Sequence, residues 1–175
     1  MLENQNALQM FEQGSNRMLS AAPRFTATLL DAPPAAGVTP VAGAIAMHPS
    51  GRFLYAVNRV SGQPVHDGAR VSAGGSNSVA VFAIDDATGK PTRIAIVPTL
   101  GSSVRPFKLD TRGRLLAVGN QSAVAVRDSA GVRPISPDIA LFRIGNDGRQ
   151  VFARTYDVQT GPQKNLLWVG FVALP

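Results

Sequence analysis

Apolar residues along this chain come in short runs bounded by Gly, Pro, Asn, Asp and Ser, and nowhere at the spacing of an amphipathic helix. GAIAMHP (43–49), FLYAVN (53–58), SVAVFAI (78–84) and TRIAIVPT (92–99) each have the length and β-branched content of a strand. Pro49, Ser50 and Gly51 separate the first two, and Asp86 to Gly89 the last two. In these turns glycine supplies positive φ, and Asp or Ser bonds nearby backbone. A second series follows: FKLD (107–110), LLAVGN (115–120), IALFRI (139–144) and VFARTYDV (151–158), with Asn146-Asp147-Gly148 as a hairpin turn.

The two series are copies of one unit. HPSGRFLYAVNR (48–59) returns about 60 residues later as DTRGRLLAVGNQ (110–121), aligning Gly51 with Gly113, Arg52 with Arg114, Leu54 with Leu116 and Asn58 with Asn120. SVAVFAID (78–85) returns as DIALFRIG (138–145), so that Phe82 and Ile84 align with Phe142 and Ile144. ALQMFEQG near the start repeats the pattern weakly, placing Phe11 and Gly14 as Phe142 and Gly145 are placed. Four-stranded antiparallel units that repeat cannot bury both faces alone, and they point to an all-β, partial β-propeller. A sandwich is the runner-up, but its strands have no reason to recur with matched turns. The expected organisation is one partial domain: an incomplete blade (7–31), complete blades at 43–100 and 107–160, and a closing strand at 166–172. Inserts at 59–77 and 121–137 separate the second and third strands of each unit. Loops of that length without structure of their own are usually functional.

Composition narrows the function classes. With 175 residues and 45% hydrophobic content the chain supports one core. There are no cysteines, which excludes disulfides and zinc–cysteine sites. No apolar run approaches a membrane span, and MLENQNALQ lacks the basic and apolar regions of a signal peptide, so the expected location is cytoplasmic. The net charge of +6 comes almost wholly from arginine: either a solvated surface or a field that attracts anions. With no Lys/Arg cluster and 6% aromatics, nucleic acid is the weaker partner class. No P-loop, GxSxG, HExxH or metal-ligand spacing is present, and no cofactor or metal is expected.

HPSGRFLYAVNR, then GGSNSVAVFAIDDATGKPT, VRPFKLDTRGRLLAVGNQ and IALFRIGNDGR, resembles the lactonase family of seven-bladed propellers. That family includes bacterial 6-phosphogluconolactonases and is related to fungal carboxymuconate cycloisomerases. The likeness covers 43–172 well and 7–31 loosely. A seven-bladed member is roughly twice as long, and LLWVGFVALP is similar to a family C-terminus, so the missing part is expected before Met1. Exposed blade edges of such a piece invite self-association.

Propeller connectivity sorts the loops. Turns joining strands one to two and three to four lie at one end of the channel; loops joining two to three, and blade to blade, lie at the other, where small ligands usually bind. This puts His48 on the opposite end, as a turn histidine bonded to backbone. The favoured end receives Arg59, His66, Asp67, Arg70, Arg105, Arg127, Asp128 and Arg133. Arg105, in the family-like segment Val104-Arg105-Pro106-Phe107, is either a carboxylate- or phosphate-binding fork or a blade-to-blade salt bridge. His66 is the histidine placed to act as general base or acid, the alternative being an exposed loop histidine. Catalytic roles are expected for His66 and Arg105, and substrate binding for Arg59, Arg105 and Arg127. The repeated Asn58 and Asn120 point to structural caps. Two readings follow: a lactonase-like hydrolase acting on a small anionic sugar-acid lactone as part of a longer enzyme, or a non-catalytic propeller fragment or binding module.

Overall fold

The computed structural model describes all residues except 62–64, 67, 73–76, 122–123, 129–130, 162–163 and 173–175. Among the described residues there is no helix, and so none long and apolar enough to cross a membrane. β1 (Ala7–Met10) and β2 (Phe25–Thr28) pair antiparallel. Four strands then form one sheet: β3 (Thr39–Met47), β4 (Phe53–Ser61), β7 (Ser78–Ile84) and β8 (Pro91–Pro98), in spatial order β3-β4-β7-β8. Four more repeat that order: β9 (Val104–Leu109), β10 (Leu115–Asn120), β13 (Asp138–Ile144) and β14 (Gln150–Asp157). Two four-stranded antiparallel sheets with one connectivity, and an antiparallel pair before them, make a partial propeller.

The core lies between blades. Alternation sends Phe53, Tyr55 and Val57 of β4 to one face, against Val104, Leu116, Val118 and Phe142 of the next blade. It sends Leu54 and Ala56 to the other, against Leu8 and Leu29 beside β1 and β2. The first complete blade therefore presents two apolar faces, and its neighbours cover both. Tyr55 is fully buried and donates its hydroxyl to the Gly148 carbonyl at 2.6 Å. Burial, helped by the negative Asp147, pushes its phenol pKa well up, so it stays a donor.

Three expectations are corrected. The inserts are not structureless: each carries a hairpin, β5 (Val65–His66) with β6 (Ala69–Arg70), and β11 (Val124–Asp128) with β12 (Gly131–Ile135). Val71 bridges Ala125 in parallel, and the Ser72 N–H donates to the Ala125 carbonyl at 2.8 Å, which joins the two inserts. The closing strand expected at 166–172 is absent among its described residues. Leu166 donates its N–H to Gln121, but no ladder follows, because no neighbouring strand runs beside it. Arg105 does not sit in the blade-to-blade loop; it is the second residue of β9.

The paired asparagines diverge. Asn120 donates to the Thr99 carbonyl at 3.3 Å and to Asp138 Oδ1 at 2.6 Å, a cap tying β10 to its neighbours. Asn58, equally buried, has no described partner for its amide. Burial is the main cause that raises the Asp138 carboxyl above its ordinary value; the Asn120 bond opposes it, and Asp157, directly opposite on β14, adds to it. A carboxyl with a raised folded-state pKa costs stability once pH climbs past the ordinary carboxylate value, because the unfolded chain ionises first. Below that value the cost vanishes. Asp138→Asn keeps the acceptor for Asn120, so melting scans should show it more stable than the parent at pH 7 and equal near pH 3. An equal melting point at both would refute this account.

Candidate active site around Arg59 and Arg105

At the end of the blades that carries the inserts, a cavity of about 380 Å³ is lined by Ala42, Gly43 and Ala44 of β3, with Arg59, Arg105, Glu3 and Met1. Small side chains on the inner strand leave this space. The β3–β4 register shifts between Ala42 and Ile45, and a Cβ on Gly43 would lie 2.6 Å from Val57 Cγ2. Any larger residue there would push β3 off β4 and narrow the cavity.

Arg59 lies near the end of β4, opposite Val41, with its side chain 16% exposed. Its Nη2 meets Glu3 Oε1 at 2.6 Å, while its buried Nε has no described partner. Glu3 is held by its own backbone, whose carbonyl accepts the Ala42 N–H at 2.9 Å. Arg105 is exposed toward the cavity and has no hydrogen-bond or ion-pair partner among the described residues. The blade-to-blade salt bridge offered as its alternative role is therefore not present among them.

The approach to Arg105 is rigid. Leu100 (φ 65) and Ser103 (φ 58) both adopt left-handed backbone, which costs energy for residues other than glycine. Asn77 holds this segment: its Oδ1 accepts the Ser103 N–H at 3.0 Å and the Val60 N–H at 3.4 Å, and its carbonyl accepts the Thr99 N–H at 3.0 Å. One asparagine thus ties the linker before Arg105 to the strand end carrying Arg59. Sequence reasoning missed both Asn77 and Glu3. The signal for Asn77 was its place just before the third strand; Glu3 had none, since its role comes from a contact across the fold.

Of the residues singled out from sequence, the structure brings Arg59 and Arg105 to one cavity. Arg127 is exposed on β11 and does not line it. His66 pairs with Ala69 through its backbone in β5–β6, and its side chain lies outside the described part, as do those of Arg70 and Asp128; Asp67 lies outside altogether. Arg133 is exposed on β12. His48 lines a different cavity, with Arg112 and Asn146. Its Nδ1 accepts the Ser50 N–H at 3.1 Å, so Nε2 carries the proton and donates to the Gly113 carbonyl of the next blade at 2.9 Å. Among the described residues no three His, Asp or Glu side chains gather as a metal would require.

Two guanidiniums on a floor of small residues can hold an acid group and a developing oxyanion. The chain matches the family model "Lactonase, 7-bladed beta-propeller" over residues 3–128. That span takes in β1 and β2, which the sequence motifs cover only loosely, and ends within β11. No curated protein matches. Among solved structures, the chain is similar to the Pseudomonas aeruginosa periplasmic gluconolactonase PpgL, with a TM-score of 0.64 and 22% identity over 89% of this chain and 35% of that one. It is similar also to a Bacteroides fragilis protein assigned as a 6-phosphogluconolactonase, with a TM-score of 0.63 and 21% identity over 98% of this chain and 37% of that one. A Bacteroides uniformis protein assigned the same activity gives a TM-score of 0.59 and 20% identity, over 89% of this chain and 36% of that one. The chain spans little more than a third of these structures, and at such identities they show the fold. The family match, which covers well over half of the chain, fixes its membership: this chain belongs to the lactonase family of seven-bladed β-propellers.

Proposed function

We propose that the chain carries the acid-binding part of a lactonase active site and hydrolyses an anionic sugar-acid lactone as part of a longer enzyme. The observation that supports this most is the convergence of Arg59 and Arg105 on one cavity floored by Ala42, Gly43 and Ala44. Arg105, with no described partner to displace, holds the carboxylate or phosphate of the substrate through its planar fork. Arg59, already turned inward by Glu3, stabilises the oxyanion that forms when water adds to the lactone carbonyl. The water's proton passes to a general base, for which we propose His66; collapse of the intermediate returns a proton to the ring oxygen as the C–O bond breaks. Arg127 is proposed as an outer contact for the same anion.

The test is proton release from an anionic sugar-acid lactone, followed at constant pH with and without the chain. Acceleration over the spontaneous rate supports hydrolysis. Hydrolysis at the spontaneous rate would leave the second reading, a binding module. That reading is favoured by the chain spanning about a third of its structural neighbours and by Glu3 already neutralising Arg59.

Two further parts of the proposal concern setting. Val151, Phe152 and Tyr156 on the outer strand β14, with Leu167 and Trp168 after it, are all exposed. Self-association through this face is the proposed result. Light-scattering chromatography should show species larger than 18.4 kDa; a sharp monomer peak with cooperative melting would overturn it. The proposed location is cytoplasmic, and cell fractionation decides it.

A further inference from the structure

A second cleft opens at the opposite end of the blades, where the turns joining first to second strands meet the turn joining third to fourth. It has a volume of about 240 Å³ and is walled by Arg52, Arg112 and Arg114 with His48, Ser50 and Asn146. An adjoining recess of about 440 Å³ shares Arg114 and Asn146 and adds Arg143 and Asp110. Four guanidiniums therefore face one carboxylate, and that carboxylate is engaged: Asp110 Oδ1 accepts the backbone N–H groups of Arg114 at 2.6 Å and Leu115 at 2.8 Å. None of the four guanidiniums has a hydrogen-bond or ion-pair partner among the described residues; that of Arg52 lies over the Phe53 ring, 5.2 Å from its centroid.

Turn geometry explains the glycines of the repeated Gly-Arg pair, since Gly51 has φ 74 and Gly113 φ 68. It does not explain the arginines, whose backbone roles any residue would fill. The cleft itself is firmly built. His48 clips the two turns together through Gly113, and a Cβ on Gly113 would lie 2.1 Å from His48 Nε2. Like charges crowded on such a frame repel one another, and an anion seated among them removes that cost.

We propose that this cleft binds a small multivalent phosphate anion, such as a diphosphate or a phosphorylated metabolite. Several forks around one recess match phosphate oxygens in bidentate fashion, and more than one negative charge is needed to balance them. The Phe53 ring in the cleft wall is only 7% exposed and is covered by the Arg52 guanidinium, so it gives a stacking base no open face, which favours a small anion over a nucleic acid. It shares no lining residue with the Arg59–Arg105 cavity. The strand β3 separates them, with Ala42 at one and His48 just beyond the other end, on the order of 15–20 Å at the rise of a β-strand. The site is therefore independent of the acid-binding arginines.

Inorganic pyrophosphate, titrated by calorimetry at low salt into the whole chain, tests this. Arg105→Ala should still bind pyrophosphate, because Arg105 lines the other cavity and not this one. Arg112→Gln/Arg114→Gln should bind at least tenfold more weakly, with an unchanged melting point because both side chains are exposed. Arg143→Gln, on strand β13 and away from the turns, should also weaken binding, and it serves if the double variant melts lower. Undiminished affinity in the double variant and in Arg143→Gln would overturn the proposal. So would a loss of binding in Arg105→Ala, or no binding of pyrophosphate at millimolar concentration.

Discussion

Arg105→Ala is expected to lower turnover of an anionic lactone by roughly 10-fold to 150-fold, the rate equivalent of about 1.5 to 3 kcal/mol for a hydrogen bond to a charged group. The melting point should barely move. Both expectations follow from one fact: the guanidinium has no described partner within the fold, so its removal breaks nothing that holds the chain together. A lysine at the same place keeps the charge but loses the fork, so Arg105→Lys should recover only part of the rate. Paired measurements of hydrolysis and melting decide the matter. Unchanged hydrolysis with a lowered melting point would give Arg105 a structural role and sink its assignment to substrate.

The largest loss of stability is expected from Phe142→Ala. Phe142 is fully buried on the blade face that meets Tyr55 and Val57, and its ring meets that of Phe152 edge-on at 5.9 Å. Removing it deletes one aromatic payload and opens a cavity at the seam between the two complete blades. Neither sheet can collapse to fill it without breaking its ladder, so chemical denaturation should show a loss of about 3–5 kcal/mol. By contrast, Val151 is exposed on β14 and Val151→Ala should cost little. A loss under about 1 kcal/mol for Phe142→Ala would mean that the blades do not share a core.

Strand order and blade phase were legible because alternation and turn chemistry are local. β7 and β10 fall where the apolar runs place them, and Gly148 and Gly89 end up with the positive φ their turns demand. The hairpins within the inserts were not legible. Val65-His66 and Val124 to Asp128 are short, and their pairing depends partly on each other through Val71 and Ala125. The strand expected at 166–172 had the right composition, but a strand exists only beside a partner. At the site, arginine is conspicuous in sequence and Arg59 and Arg105 could be picked out. Glu3 could not, because 56 residues of chain separate it from Arg59. Asn77 was hidden in a run of small polar residues, and its Oδ1 is recognisable only once the backbone N–H groups of Val60 and Ser103 are brought to it.

The bridge between Val71 and Ala125 also changes the thermodynamics of the two inserts. Separate loops would each bear the full conformational entropy of becoming ordered. Once one hairpin is fixed, the other already has a docking edge, and its closure costs less. The bridge therefore ties the stability of each hairpin to that of the other, so a substitution that breaks one should weaken both.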